Sequence, residues 1–370
     1  MHAFANCHSH VFHRALRGRT GGDTFWAWRE EMYALAADLD PDLLFRLARA
    51  TYAEMRLAGV DAVGEFHYLH HQPGGTPYDE PNAMGEAVIA AAREVGLRIC
   101  LLDACYTNVP SAGSGTERVQ QRFSDGDADA WAVRVHELAS RHAGDPDVVV
   151  GAAIHSVRAV PREQLATVGA ALPDAPLHVH VSEQPAENEE CLASTGMTPV
   201  ALLAEAGTWS SRTTAVHATH LTDDDVAILG AANAFVCFCP TTEAELADGV
   251  GPSVALRKSG ARLTLGSDSH TVIDMFAEAR AVEMHERLVS GRRGSWTADE
   301  LWRAATTTGL ESLGFADPRP LELAPSVRTA GAGDPIWSAT AADVVPPADL
   351  DPAEVGHDLG VVIDECWSLR

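Results

Sequence analysis

The sequence predicts a single α/β domain, a (β/α)8 barrel, and three observations carry that expectation. Eight short apolar runs recur along the chain, most of them followed by a polar loop and an amphipathic stretch of helical period. Near-continuous apolar strands alternating with helices belong to a parallel sheet covered on its outer face. The residues able to do chemistry fall at the C-terminal ends of these runs, where barrels assemble their sites. The length, 370 residues, accommodates eight such units and an extension beyond them.

The first run, Ala3–His8, leads into FANCHSHVFHRALRG, which crowds His8, His10 and His13 together. GVDAVGEF, residues 59–66, brings Glu65 to its end, and RICLLDAC, residues 98–105, follows as the third strand. VVVGAAIH, residues 148–155, closes on His155; APLHVHVS, residues 175–182, carries His178 and His180 with Glu183 next. TTAVHATH, residues 213–220, holds His217 and His220, and AFVCFCPT, residues 234–241, is the seventh strand. RLTLGSDS, residues 262–269, ends the series with Asp268. Between them PDLLFRLARATYAEMRLAG, EAVIAAAREVG and DADAWAVRVHELASRHAG read as helices, each closed by the glycine that favours a helix C-terminus. The barrel is assigned to residues 1–315. Residues 316–370 are rich in Pro, Ala and Asp and are expected to form an extension, either a remnant of a flanking β-domain or an irregular tail.

Composition narrows the partners. A formal net charge of −25 argues against nucleic acid and anionic membranes, which require basic surface. It leaves room for a small anionic substrate, because salt screens the overall field within about 8 Å and local arginines can dominate a pocket. No apolar run is long enough to span a bilayer, and the N-terminus lacks the basic-then-apolar layout of a signal peptide. The seven cysteines are scattered without a CxxC pair, which predicts reduced thiols and a cytoplasmic setting.

The chemistry follows from spacing. His-x-His on a strand points both imidazoles to one face. Two neutral imidazoles there, a histidine from strand five and a carboxylate from strand eight would supply the N and O donors of a divalent cation, zinc above all, although iron and manganese accept the same ligands. The expected ligands are His8, His10, His180 and Asp268. His178 shares the face of His180 but lies one layer deeper, where a core histidine is the simpler reading. Glu183 is placed to shuttle protons between water and leaving group. His217 is placed to polarise the attacked atom, with His220 ranked behind it. Asp268 could also orient the hydrolytic water. Strand four has no lysine, and the chain's single lysine, Lys258, falls between strands seven and eight. A carbamylated lysine therefore cannot bridge two metals, so one metal per chain is expected.

FANCHSHVFHRALRG, FWAWREEMY, GEFHYLHH, HSVRAV, HVHVSEQPAENEECL, VHATHL, CPTTEAELADG and LGSDSH, taken in this order, resemble the formimidoylglutamate deiminases of the amidohydrolase superfamily over about residues 3–315. That resemblance implies a TIM-like barrel with zinc on His8, His10, His180 and Asp268, and with Glu183, His217 and Asp268 in proton transfer and activation. It also implies a substrate pocket of His13, Arg29, Tyr68, His155 and Arg158. The implied reaction is hydrolysis of N-formimidoyl-L-glutamate to N-formyl-L-glutamate and ammonia, in histidine degradation, by a cytoplasmic homodimer. The arginines make chemical sense, since the small dianionic substrate carries two carboxylates that guanidinium groups pair bidentately. Arg158 stands three residues past strand four, and Arg29 is read in an aromatic-rich loop.

Two departures stand out. The family has glutamine where this chain has His13, and it has β-strands before the barrel where this chain opens on its first barrel strand, so the flanking domain is expected to be shortened or diverged. Three alternatives follow: a deaminase of a purine or other aromatic amidine, an imidazolone-ring hydrolase, or a barrel that keeps its ligands without turnover. A ring substrate lacking two carboxylates would leave the arginine charges unpaired, which separates the first two from the deiminase.

Overall fold

The structure is a computed structural model and describes residues 1–20, 25–108, 115–327 and 334–369. Its eight strands are β1 (Phe4–Ser9), β2 (Val60–His67), β3 (Arg98–Cys105), β4 (Val148–Ile154), β5 (Leu177–Val181), β6 (Thr213–His217), β7 (Phe235–Phe238) and β8 (Arg262–Leu265). They pair in chain order, each parallel to the next. Helices cover the outer face of the sheet and side chains fill the barrel interior, which is why β1, β2 and β3 are buried at every residue and read as apolar runs. Helix starts are capped as their sequences require: Asp40 accepts from Leu43 N–H at 2.8 Å ahead of Pro41–Leu57, and Asp127 accepts from Ala130 N–H ahead of Ala128–Arg141.

The barrel closes through the residues that carry its chemistry. Past the end of β8, the Asp268 N–H donates to His8 O at 2.9 Å, and the His10 N–H donates to Asp268 O at 3.2 Å. Gly266 permits this approach, because a Cβ there would stand 2.7 Å from the His8 Cβ and 2.8 Å from its backbone. The seam is thus made by the backbone of three of the four expected metal ligands.

A second polar knot lies behind the ends of β2 and β3. Arg134 grips Asp103 with two hydrogen bonds of 2.8 Å and Asp125 with bonds of 2.8 and 2.9 Å. His71 Nε2 reaches Asp125 at 3.1 Å, and the Trp131 indole donates to Asp103 at 2.9 Å. His70 and His71, next to the cleft residue Tyr68, are tied by their N–H groups to Arg122 O. Burial alone would lift both carboxyls, but Arg134 and the neighbouring histidines hold them below the usual carboxylate range. Their stabilisation is therefore complete above about pH 4 and is lost as pH falls through the lowered values. Arg134→Met should cost roughly 3–5 kcal/mol, since it strands two buried carboxylates. Thermal or denaturant unfolding checks this, and a change below about 1 kcal/mol would show that the carboxylates find other partners.

The extension is not irregular throughout. Residues 1–3 and 319–321 exchange antiparallel hydrogen bonds, and Leu323 bridges Val344. The helix Pro352–Ser368 then buries Val355, Leu359, Val362 and Cys366, and it packs on Pro41–Leu57. Part of the tail, residues 328–333, lies outside the described residues. Lys258 is exposed near the end of the helix Ser253–Ser259, just before β8 begins. That position is at the N-terminal face of the barrel, away from the strand ends. No helix among the described residues is long and apolar enough to cross a membrane.

Candidate active site

Four side chains converge at the C-terminal mouth of the barrel. His180 Nε2 stands 3.1 Å from His8 Nε2 and 3.3 Å from His10 Nε2. Asp268 Oδ1 lies 3.3 Å from His8 Nε2 and 3.5 Å from His10 Nε2. The tautomers follow from the other ring nitrogens. His10 Nδ1 sits 2.9 Å from Phe66 O, and His180 Nδ1 sits 2.9 Å from His155 O. A carbonyl can only accept, so each Nδ1 carries the proton and each Nε2 turns a lone pair toward the others. Burial pulls the basicity of His8, His10 and His180 below the ordinary histidine range and keeps them neutral. The lone pairs of His10 and His180 facing each other at 3.3 Å are repulsive without a cation between them. The donor set fits one divalent ion.

The pair is braced from behind. Glu65 accepts from Ser9 Oγ at 2.6 Å and from Val11 N–H at 2.7 Å, on either side of His10. Burial pushes the Glu65 carboxyl up to about 8, against the pull of these hydrogen bonds. His270 bridges Ser9 and Ser267, and Asn6 donates to Ser267 Oγ at 2.7 Å. This network joins β1, β2 and the end of β8.

Glu183 and His217 stand beside these four side chains. His217 Nε2 lies 3.8 Å from Glu183 Oε1 and 3.9 Å from Asp268 Oδ2, while His217 Nδ1 lies 3.4 Å from Glu243 Oε1. Burial would lower the basicity of His217, but Glu183, Glu243 and Asp268 outweigh it and hold the ring well above its ordinary range. A ring protonated in this way can donate from Nε2. Glu183 is raised above the usual carboxylate range by burial first and by Asp268, against the pull of His217 and Arg158. His217 and Asp268 have φ of 65° and 44°, a left-handed backbone that non-glycine residues rarely adopt. The strain turns the chain at the strand end.

A cleft of about 720 Å³, counted to its open mouth, connects this centre to solvent. His13, Arg29, Tyr68, His155 and Arg158 all line it together with His10, His180, Glu183, His217 and Asp268. His13 Nε2 is 3.0 Å from the Tyr68 hydroxyl. Arg158 Nε is buried with no hydrogen-bond partner among the described residues. Arg29 sits on the helix Phe25–Asp38 rather than in a loop, with its guanidinium 5.5 Å from the Tyr33 ring centre. The crowded aromatics of FWAWREEMY obscure the helical period in the sequence. His178 stays a layer below, 3.5 Å from Ser312 O, and His220 leaves the cleft to meet Asp248 O at 2.6 Å.

The sequence reading missed Glu243 behind His217 and the walls formed by Trp28, Tyr33, Tyr106 and Phe123. Glu243 gave one usable signal: it stands three residues after Pro240, in the first turn of the proline-started helix Pro240–Glu245 that follows the seventh strand.

An eight-stranded parallel barrel with three histidines, an aspartate and a buried carboxylate–imidazole pair at its mouth defines a metal-dependent hydrolase. The profile of the amidohydrolase family matches residues 1–318. Formimidoylglutamate deiminase of Pseudomonas aeruginosa is 35% identical over 324 residues, 84% of this chain and 71% of that protein. A 5-methylthioadenosine/S-adenosylhomocysteine deaminase of Teredinibacter turnerae is 27% identical, over 86% of this chain and 67% of that one. The crystal structure of an amidohydrolase from Brucella melitensis superposes with a TM-score of 0.89 at 29% identity, covering 99% of this chain and 89% of that chain. A zinc-bound adenosine deaminase from Xanthomonas campestris shares the fold, with a TM-score of 0.84 at 21% identity over 100% of this chain and 86% of that one. The chain belongs to the amidohydrolase family and is a hydrolytic enzyme acting on carbon–nitrogen bonds.

Proposed function

We propose that the protein is a zinc-dependent deiminase that hydrolyses N-formimidoyl-L-glutamate to N-formyl-L-glutamate and ammonia, a step of histidine degradation. The observation that carries this reading is Arg158. Its buried Nε lacks a hydrogen-bond partner among the described residues, and it lines the same cleft as Glu183 and His217. Arg29 enters that cleft from the helix Phe25–Asp38. A dianionic amidine satisfies both cations while its formimidoyl carbon reaches the acid–base pair. The 35% identical relative bears the matching name.

His8, His10, His180 and Asp268 would hold the cation, which when bound supplies the Lewis acidity that makes water a nucleophile near neutral pH. Glu183 takes the proton from the attacking water and returns it to the departing nitrogen, so that a C–O bond forms as the C–N bond breaks. His217 donates from Nε2 toward the reacting centre, and Glu243 fixes that ring from the other side. Asp268 Oδ2 faces His217 and orients the water. Tyr68 and His13 position the substrate, and Trp28, Tyr33, Tyr106 and Phe123 wall it from bulk solvent. Those rings also support a second reading, deamination of an aromatic amidine, as the name of the 27% identical relative suggests.

Arg158→Met separates the two. A charge-assisted pair in a partly desolvated pocket contributes about 1.5–3 kcal/mol. The variant should therefore lose about tenfold to a few hundredfold in kcat/KM for N-formimidoyl-L-glutamate. A formimidoyl compound without carboxylates should hardly notice the change. Lysine should restore only part of the loss, because it lacks the planar fork. Equal losses on both compounds would reject a carboxylate-reading role for Arg158 and favour the aromatic amidine.

A further inference from the structure

We propose that His217, Cys239 and Asp268 form a second, inhibitory cation site beside the first, selective for a thiophilic divalent ion such as Cd²⁺ or excess Zn²⁺. One ligand atom from each of the three lies within 4.8 Å of the others, and all three residues are buried. Cys239 follows β7 directly, held by its N–H to Glu243 Oε1 at 2.8 Å. Asp268 divides its oxygens between two poles. Oδ1 faces His8 and His10 at 3.3 and 3.5 Å, whereas Oδ2 faces His217 Nε2 at 3.9 Å. A carboxylate disposed in this way can bridge two cations, as in sites whose metals stand about 3.5–4 Å apart. No lysine is needed for this bridge.

Charge favours the site. Glu183, Glu243 and Asp268 each lie within 4 Å of a His217 nitrogen, and one imidazole neutralises only one carboxylate. The donors also differ in kind from the first set. His8, His10, His180 and Asp268 offer nitrogen and oxygen, while the second locus adds sulfur and so selects softer ions. A buried thiol keeps its proton until a cation arrives. On binding, the Cys239 S–H bond breaks, its proton leaves to solvent and a metal–sulfur bond forms; any proton on the His217 nitrogen that the ion takes leaves as well. An ion there occupies His217 and Asp268 together, so binding and hydrolysis exclude each other. The inhibitory consequence rests on the hydrolytic reading of the site, but not on which amidine is the substrate.

The test uses protein loaded with one zinc per chain, titrated with Cd²⁺, with Mg²⁺ as the hard-ion control. Retained zinc and bound cadmium are counted after gel filtration, and sulfur-to-cadmium charge-transfer absorption is followed in the ultraviolet. Wild type should keep its zinc, take up one cadmium, gain the absorption and lose hydrolysis, while Mg²⁺ does none of these. Cys239→Ser should keep the zinc and the starting activity, lack the absorption and need at least about tenfold more Cd²⁺ for half-inhibition. Cys239→Ala should behave likewise if the serine hydroxyl perturbs the pocket. Release of one zinc per cadmium bound, absorption that persists in both variants, or equal inhibition of variants and wild type would overturn the proposal. Metal counts and absorption need no substrate, so a wrong substrate assignment cannot be mistaken for a missing site.

Discussion

The double substitution His8→Ala, His10→Ala is expected to abolish both tight metal binding and hydrolysis. It removes the two imidazoles whose Nε2 atoms stand 3.1 and 3.3 Å from that of His180, leaving His180 and Asp268 alone. Two ligands on separate strands cannot hold a divalent ion against water. The effect should reach the fold as well, because the two buried rings fill the barrel mouth and alanine leaves that space empty, although the backbone seam to Asp268 remains. Elemental analysis of wild type should return one tightly held metal per chain and of the variant almost none, with turnover at background. Full occupancy in the variant, or two tight metals in wild type before any is added, would refute the assignment of this four-residue set.

The second large effect is expected for Glu183→Gln. The carboxylate is buried, has no charged partner among the described residues closer than the 3.8 Å of His217, and is held above the usual range by desolvation. That environment suits a group that must take a proton from water and give it back within one turnover. The amide keeps the shape and cannot carry the proton. Turnover should fall at least about a thousandfold, beyond the middle of the range for acid–base assistance, because the same group serves both addition and departure. Metal content and unfolding midpoint should hold. Loss of metal would make Glu183 a ligand, and near-normal turnover would reduce it to the start of the helix Pro185–Thr195.

All eight strands were legible in the sequence because a parallel sheet buried on both faces leaves uninterrupted apolar runs. β3 begins and ends at the residues its pattern marks, whereas β6 stops at His217, three residues before the apolar pattern does, where the left-handed backbone breaks the pairing. The convergence of His8, His10, His180 and Asp268 was legible because period-two spacing and strand ends specify direction. The cleft walls were not, since Tyr106 or Phe123 on a cavity wall reads like any core aromatic until the fold says which side is empty. Glu243 was hidden for a related reason: its partner, His217, belongs to a different strand. The helix Pro352–Ser368 left a trace that composition masked. Its buried residues Val355, Leu359, Val362 and Cys366 follow helical spacing behind Asp351 and Pro352, but two glycines and several acids dilute them.

The single lysine has a practical consequence. Lys258 is exposed at the N-terminal face of the barrel, near the end of the helix Ser253–Ser259. Coupling directed to this lysine would therefore tether each molecule by that end. A resin, electrode or dye attached in this way would leave the cleft pointing outward, with its ligands and arginines untouched by the reagent.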